Sequence, residues 1–356
     1  MRITFLLPGT GREPVGGFKI VYEYANGLSR RGHHVTVVHT ARAERELENS
    51  ARLRRAGAYL KRKVTGDVGP SRWFSLDSRV RLVWTPSLSA SSVPDSDVLV
   101  ATAWQTAEWA ADYPPSKGRK LYFIQHLETW SGTEERVLAT WKLPLEKIVS
   151  AKWLCEVAAS MGEKATYIPY GLDFNAFGLD VPPEDRRADS FFMLHHTLWW
   201  KGTRDGIMAL ERVRKDHPNL KVDLYGTGPE PDHLPQGFRY HRDPPQRVLR
   251  SLYNAAAIFV APSVTEGWGL PATEAMMCGA ALAATDNGGH REFARHEETA
   301  LLSPPEDPES LAQNLLRLVT DGALRLRLAR DGHAFVQQFT WDRAFDRFEE
   351  LLGTRR

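Results

Sequence analysis

The sequence predicts an α/β protein made of two Rossmann-like domains, each built around a parallel sheet. Residues 3–38 follow the order strand, glycine-rich loop, helix and strand, a βαβ unit that requires parallel strands. The same order of elements returns from Phe191 onward. The length of 356 residues also suits two domains of roughly 150 residues better than a single one.

The individual elements follow from apolar periodicity and from the glycine and proline residues at their ends. The predicted strands of the first half are residues 3–7, 35–38, 98–101 and 121–125. Those of the second half are residues 191–195, 220–225, 257–261 and 281–284. One helix is predicted to end at Gly32, and another to cover residues 202–214.

A loop-rich stretch between Pro169 and Asp189 predicts the linker between the domains. We therefore place the N-terminal domain at 1–170 and the C-terminal domain at 171–335. Residues 336–356 predict a C-terminal helix, which packs either on the N-terminal domain or on the second domain.

Charge and cysteine content exclude several classes of protein. Lys plus Arg number 46 and Asp plus Glu 44, for a net charge of +2, which argues against a protein built to grip nucleic acid. The two cysteines, Cys155 and Cys278, cannot form a disulfide framework and suit a reducing compartment. No apolar run approaches the 18 or so residues of a membrane span. We expect a cytoplasmic protein.

A basic segment at 42–63 stands apart from this balance. It carries eight basic residues against three acids, and Leu53, Ala56 and Leu60 can form an apolar stripe on a helix. One interpretation is a solvated surface helix. The other is a peripheral contact with an anionic membrane at its inner face, or with an anionic acceptor.

Several familiar cofactor motifs fail in this sequence. The glycine runs 9–14 and 226–231 resemble the dinucleotide pattern G-x-G-x-x-G, but each carries proline at the last glycine position. The acids at 95–97 precede a predicted strand, where a turn accounts for them better than a metal site. The histidine pair 195–196 lacks partners at zinc spacing. We expect neither a metal nor another cofactor.

One segment carries chemistry. The predicted strand ending at Ala261 leads into a loop with Glu266 and two glycines, and Pro271 then begins a helix. The start of a helix presents free N–H groups and a positive dipole to an anion such as phosphate. Glu274 lies one turn into the helix, within reach of hydroxyl groups beside that phosphate. Alternatively, the acids are dipole partners and the glycines turn residues.

The spacing Glu266-x7-Glu274 around Gly-x-Gly-Leu-Pro, followed by Glu-Ala-Met-x-Cys-Gly, resembles the signature of family-4 retaining glycosyltransferases of GT-B fold. Further segments resemble the same family: Gly16-Gly17, Pro169-Tyr170-Gly171-Leu172-Asp173, Lys201-Gly202 and Asn287-Gly288-Gly289. Residues 101–107 and 122–125 resemble a bacterial branch that includes rhamnosyltransferases.

The resemblance implies that the domain at 1–170 is the acceptor-side domain and that the domain at 171–335 binds the nucleotide sugar. The two Rossmann-like domains would face each other across a cleft, with C-terminal helices crossing back to the first domain. It implies transfer of a sugar, with retention and without metal, from a UDP-, dTDP- or GDP-linked donor. The acceptor would be a small molecule, a glycan or a lipid-linked molecule, in carbohydrate or natural-product biosynthesis. The alternatives are a non-catalytic nucleotide-sugar-binding subunit and another GT-B chemistry, such as an epimerase or a phosphorylase.

The resemblance also assigns roles to residues. Lys201 would stabilise the departing phosphate, Glu266 would bind the sugar hydroxyls and Glu274 those of the ribose, with His126 near the sugar. The implied catalytic residues are Glu266, Lys201 and His126. The implied donor-binding residues are Gly17, His196, Thr197, Lys201, Gly267, Trp268, Gly269, Leu270 and Glu274.

The sequence departs from the family pattern at one of these positions. Members usually have an arginine five residues before the lysine, where this chain has His196. A neutral histidine donates one hydrogen bond where arginine donates a fork. Thr197 and Arg204 are the candidates to compensate.

Overall fold

The computed structural model describes residues 1–45 and 49–353. The predicted basic segment 42–63 and the predicted C-terminal segment 336–356 therefore lie partly outside the described residues. The chain folds as two compact units. One consists of Met1–Tyr170 together with Asp342–Arg356, and the other of Gly171–Trp341.

The first unit is built on a seven-stranded sheet whose strand pairs are all parallel. Its strands are β1 (Arg2–Leu7), β2 (His34–Thr40), β3 (Arg81–Thr85), β4 (Val98–Ala101), β5 (Arg119–Ile124), β6 (Glu146–Val149) and β7 (Ala165–Tyr167). Their order across the sheet is β3-β2-β1-β4-β5-β6-β7. The helices between them are α1 (Gly16–Arg30), α2 (Asn49–Thr65), α3 (Trp104–Ala111), α4 (Glu134–Trp141) and α5 (Lys152–Ser160).

The second unit repeats this plan with six strands, again all parallel. Its strands are β8 (Ser190–Leu194), β9 (Lys221–Gly226), β10 (Phe238–Arg242), β11 (Ile258–Ala261), β12 (Ala281–Thr285) and β13 (Leu301–Ser303), ordered β10-β9-β8-β11-β12-β13. Its helices are α6 (Thr203–Asp216), α7 (Gln246–Ala255), α8 (Leu270–Met277), α9 (Pro308–Thr320) and α10 (Gly322–Val336).

Apolar periodicity explains why these segments form these elements. Strands β4 and β11 are buried along their whole length, as expected for parallel strands covered on both faces by helices. In α1 the buried residues include Ile20, Tyr24 and Leu28, which recur at helical spacing and turn one face toward the sheet. The prediction of two Rossmann-like parallel sheets is confirmed.

The last helix, α11 (Trp341–Leu352), packs on the first unit, the first of the two placements that the sequence left open. Phe345 packs so closely on α1 that a Cβ at Gly27 would lie 1.9 Å from its ring. Arg31, at the end of α1, donates hydrogen bonds of 2.7 Å to Asp346 and of 2.7 Å to Glu349. Because glycine has no side chain, Gly27 lets α11 pack into the core of the first unit.

The acids at 95–97 have partners within the fold. They precede β4, at the amino-terminal edge of the sheet, whereas ligands of such sheets bind at the carboxyl ends of strands. Asp97 accepts a 2.8 Å hydrogen bond from Arg2, and Asp95 one of 2.8 Å from Lys117. These ion pairs account for both carboxylates.

Candidate donor-binding site

Two loops at the carboxyl ends of neighbouring strands form the candidate site in the second unit. Strands β8 and β11 pair at the centre of the sheet, and the chain leaves them toward opposite edges. Such a switch point opens a crevice, which is the usual ligand site of open parallel sheets. The loops that follow these strands touch, since the Val264 amide donates a 2.7 Å hydrogen bond to the Trp200 carbonyl.

This contact brings Lys201 and Glu266 together. Lys201 Nζ lies 2.7 Å from Glu266 Oε1, and the Ser263 hydroxyl donates to the same oxygen over 2.8 Å. Burial opposes the charge on Glu266, but Lys201, His290 and Ser263 more than offset it, so the pKa of Glu266 lies below its ordinary value. The carboxylate is therefore buried yet ionised.

Glycines allow the loops around this ion pair to come close together. Gly202 has φ +61°, and a Cβ there would lie 2.0 Å from the Pro262 carbonyl oxygen. Gly269, with φ +106°, is the residue before α8, and a Cβ there would lie 2.7 Å from the His290 ring. Helix α8 can therefore begin at the pocket that Lys201 and Glu266 line, with the positive end of its dipole at that pocket.

A third loop, after β12, completes the pocket with residues that sequence reasoning did not assign. His290 lines the pocket, and its Nδ1 lies 2.8 Å from the Thr285 carbonyl oxygen, which places the ring proton on Nδ1. Asn287 donates a 2.9 Å hydrogen bond to the Ser263 carbonyl and so ties this loop to the Glu266 loop. Burial lowers the pKa of His290.

The sequence signal that could have pointed to this loop is Gly289. A Cβ there would lie 2.6 Å from the Glu266 carbonyl oxygen, so the close approach of the two loops requires glycine.

His196 lies at the edge of this arrangement. Its Nδ1 accepts a 3.0 Å hydrogen bond from the Leu198 amide, so the neutral ring carries its proton on Nε2. Burial and the nearby Lys201 lower its pKa, which leaves it uncharged at neutral pH. The two candidates for compensation, Thr197 and Arg204, are exposed.

In the second unit, the remaining residues that the sequence predicts to bind the donor lie just before α8 and in its first two turns. Trp268 is buried and packs edge-on against Phe339 with ring centroids 5.1 Å apart, so its indole is turned into the core. The predicted donor contacts of Gly267 to Leu270 therefore concern their backbone N–H groups. Glu274, in the second turn of α8, accepts a 3.0 Å hydrogen bond from the Tyr253 hydroxyl. Tyr253 was missed because a tyrosine at apolar helical spacing resembles any core residue.

In the first unit, Gly17 and His126 both lie near the carboxyl ends of strands. The carbonyl of Gly17, in the first turn of α1, accepts a 3.1 Å hydrogen bond from Gln125, the residue before His126. A Cβ at Gly17 would lie 3.3 Å from the Gln125 amide. His126 meets Trp130 edge-on with ring centroids 4.3 Å apart. Within this unit the structure thus brings the two predicted residues to one loop cluster.

Comparisons with known proteins identify the sequences and the fold that this chain resembles. Residues 191–321 match the family described as Glycosyl transferases group 1. A D-inositol 3-phosphate glycosyltransferase of Salinispora tropica is 36% identical over 112 residues, which are 31% of this chain and 23% of that protein. An exopolysaccharide phosphotransferase of Streptomyces coelicolor is 26% identical over 393 residues, covering 99% of this chain and 40% of that protein. The chain thus spans less than half the length of these curated relatives.

A solved structure resembles the whole chain. Anabaena HepE, in complex with UDP and glucose, superimposes with a TM-score of 0.75 at 15% identity, covering 100% of both chains. The fold is that of the GT-B glycosyltransferases. The GT-B prediction is confirmed, while family 4, retention and the rhamnosyltransferase branch stay predictions.

The buried ion pair predicts a pH-dependent loss of stability in Lys201→Met. In the wild type the Glu266 pKa is lowered, so its ion pair stabilises the fold above the unfolded pKa of about 4.3 and is lost as the pH falls through the folded pKa. Without the ammonium, burial raises the Glu266 pKa. We expect the free energy of unfolding at pH 7 to fall by about 3 kcal/mol, and this loss to shrink toward pH 5.

Urea unfolding at the two pH values measures this effect. The control is the double variant Lys201→Met/Glu266→Gln, which removes the unpaired charge and should recover most of the lost stability at pH 7. An equal loss at both pH values, or no recovery in the double variant, would contradict the prediction.

Proposed function

We propose that this protein is a retaining glycosyltransferase that moves a sugar from a nucleotide-diphosphate sugar to an acceptor without a metal ion. The observation that carries the proposal is the 2.7 Å pairing of Lys201 with buried Glu266 at the start of α8. It lies within residues 191–321, which match Glycosyl transferases group 1. The neighbouring cation and helix start suit a diphosphate, and the carboxylate suits sugar hydroxyls.

Lys201 and α8 would act on the leaving group. As the bond between the sugar and the diphosphate breaks, negative charge grows on the phosphate oxygen. The Lys201 ammonium and the N-terminus of α8 stabilise that charge from fixed positions. His196, neutral with one N–H donor on Nε2, adds a hydrogen bond but no charge.

Glu266 would act on the sugar. Its described contacts with Lys201 and Ser263 are both on Oε1, so we assign Oε2 to the donor hydroxyls. Its lowered pKa keeps it ionised, as an electrostatic partner of the positive charge that develops on the sugar. For retention, the acceptor oxygen bonds to the sugar on the face that the diphosphate leaves, and the acceptor proton passes to the departing phosphate oxygen.

The donor class and its alternatives can be tested directly. HepE was solved with UDP and with UDP-glucose, which makes UDP-sugars the first donors to test, followed by dTDP- and GDP-sugars. The histidine in place of arginine favours the alternative of a non-catalytic binding subunit. Release of sugar phosphate would instead indicate a phosphorylase, and an altered sugar on the nucleotide an epimerase.

Turnover by the purified chain is the deciding assay. We expect nucleoside diphosphate and glycoside to form in equal amounts, at the same initial rate with and without excess chelator. Lys201→Ala should lower kcat/KM, with a loss of transition-state stabilisation of about 3 kcal/mol or more, which is the scale for losing one preorganised hydrogen-bond donor. The exposed Lys215→Ala in α6 is the matched control. Activity lost in chelator and restored by Mn²⁺ would contradict metal independence, and no turnover with any donor would favour the binding subunit.

Substitutions of the two glutamates should have different effects on UDP binding and turnover. Glu274→Ala should weaken UDP binding, because ribose contacts exist equally in the ground state and the transition state. Glu266→Ala should lower turnover more than UDP affinity, because the charge it faces develops only in the transition state. Calorimetry with UDP and steady-state kinetics measure both effects, with exposed Glu211→Ala as the control. Equal losses of UDP affinity would contradict this division.

We also propose that α2 holds the protein at an anionic membrane surface. Residues 49–65 contain six Lys and Arg and no acid. Leu53, Leu60 and Val64 share one face and are 76%, 60% and 88% exposed. Tyr59 anchors the helix by stacking on Trp84 with ring centroids 6.0 Å apart. An exposed apolar stripe between basic side chains suits the boundary between lipid headgroups and acyl chains.

No described helix is long and apolar enough to cross a bilayer. The membrane proposal predicts that the chain sediments with phosphatidylserine vesicles at low salt, and less so in about 1 M salt because of screening. Leu60→Ser/Val64→Ser and Arg54→Glu/Arg55→Glu should each reduce sedimentation. Arg242→Glu/Arg247→Glu, at exposed positions of the second unit, is the control. If the wild-type protein does not sediment with these vesicles, the membrane proposal is wrong.

A further inference from the structure

A line of three polar groups crosses an otherwise apolar part of the second unit. The hydroxyl of Tyr225, on β9, lies 2.7 Å from the hydroxyl of Tyr253, on α7. The Tyr253 hydroxyl lies 3.0 Å from Oε2 of Glu274, on α8. Both tyrosines are buried. The three residues come from three different elements, so only the fold brings them together.

The hydrogen bonds in this line have one direction. A carboxylate only accepts, so Tyr253 uses its single hydrogen on Glu274, and Tyr225 must then donate to the Tyr253 oxygen. Burial holds the pKa of each tyrosine well above its ordinary value, so neither gives up its proton. Each hydroxyl polarises the next, which strengthens the bond that reaches the carboxylate.

The surrounding rings hold these hydroxyls in place. Tyr253 packs against Phe177, Phe192 and Phe259 with centroid distances of 5.4, 5.0 and 5.5 Å. Tyr225 stacks on Phe192 at 4.8 Å. Phenylalanine at either position would fill nearly the same space without burying a hydroxyl. Burying a hydroxyl costs free energy unless the hydroxyl is hydrogen-bonded. What the hydroxyls add is control over Glu274.

We propose that Tyr253, supported by Tyr225, is a positioning residue that holds the Glu274 carboxylate in the orientation that binds the 2′-hydroxyl of the donor ribose. The inference rests on the proposed function, which gives Glu274 the ribose. With Oε2 held by Tyr253, the plane of the carboxylate is set, and with it the direction of Oε1. Discrimination between ribose and deoxyribose should then depend on a tyrosine that does not itself touch the nucleotide.

Calorimetry with UDP and with 2′-deoxy-UDP tests this role. The wild type should bind UDP about tenfold more tightly than 2′-deoxy-UDP, roughly the value of one hydrogen bond to a charged group. Tyr253→Phe should lose most of this preference by weakening UDP binding about five- to tenfold while leaving 2′-deoxy-UDP nearly unchanged. Tyr225→Phe should shift the ratio in the same direction by about twofold. In steady-state kinetics, Tyr253→Phe should raise the donor KM and leave kcat near the wild-type value.

Tyr113→Phe is the matched control, because it removes a buried tyrosine hydroxyl that donates to the Leu88 carbonyl in the first unit. It should alter thermal stability without changing the UDP to 2′-deoxy-UDP ratio. If Tyr253→Phe weakens the binding of UDP and 2′-deoxy-UDP equally, or changes the binding of neither, the positioning role is wrong. Either result leaves the proposed function standing. If Glu274→Gln keeps the wild-type ratio, the ribose assignment itself fails, and the positioning role fails with it.

Discussion

The pairing of half-buried Lys201 with buried Glu266 is the constraint on which the second unit's site depends. A carboxylate away from water is costly unless a cation and further donors face it, and here the ammonium and the Ser263 hydroxyl supply both. To bring them together, the loops after β8 and β11 must touch through backbone. Gly202, in the loop after β8, meets this need, since a Cβ there would collide with the Pro262 carbonyl. Gly289 lets the loop after β12 approach in the same way, since a Cβ there would collide with the Glu266 carbonyl.

Helix α8 then joins two tasks in one rigid element. Its N-terminus faces the pocket of the ion pair, and Glu274 lies four residues from Leu270, about 6 Å further along the axis. Because the helix is short and its sheet-facing residues are buried, these two groups cannot move independently. In the proposed function, the end of the site that binds the anion and the end that binds the ribose hydroxyls are thus set at a fixed spacing by a single turn of backbone.

Local patterns predicted the fold well and the site only in part. Strands such as β11, the glycine loop and the proline near the start of α8 all have signals within a few residues of sequence. Partnerships between distant residues have no such signal. The contact of Gly27 with Phe345, the tyrosine line to Glu274 and the place of His290 depend on tertiary packing, which periodicity cannot reveal.

In the proposed reaction, the charge balance of the pocket couples binding of the diphosphate to binding of the sugar. With His196 neutral, Lys201 is the cation that lines the described pocket, and Glu266 already holds it. A diphosphate that shares the charge of the ammonium leaves Glu266 buried with less compensation. Hydroxyls of the donor sugar then restore what the carboxylate loses, so the phosphate and sugar contacts strengthen each other. Only a ligand that carries both groups, joined at the right spacing, satisfies Lys201 and Glu266 at the same time.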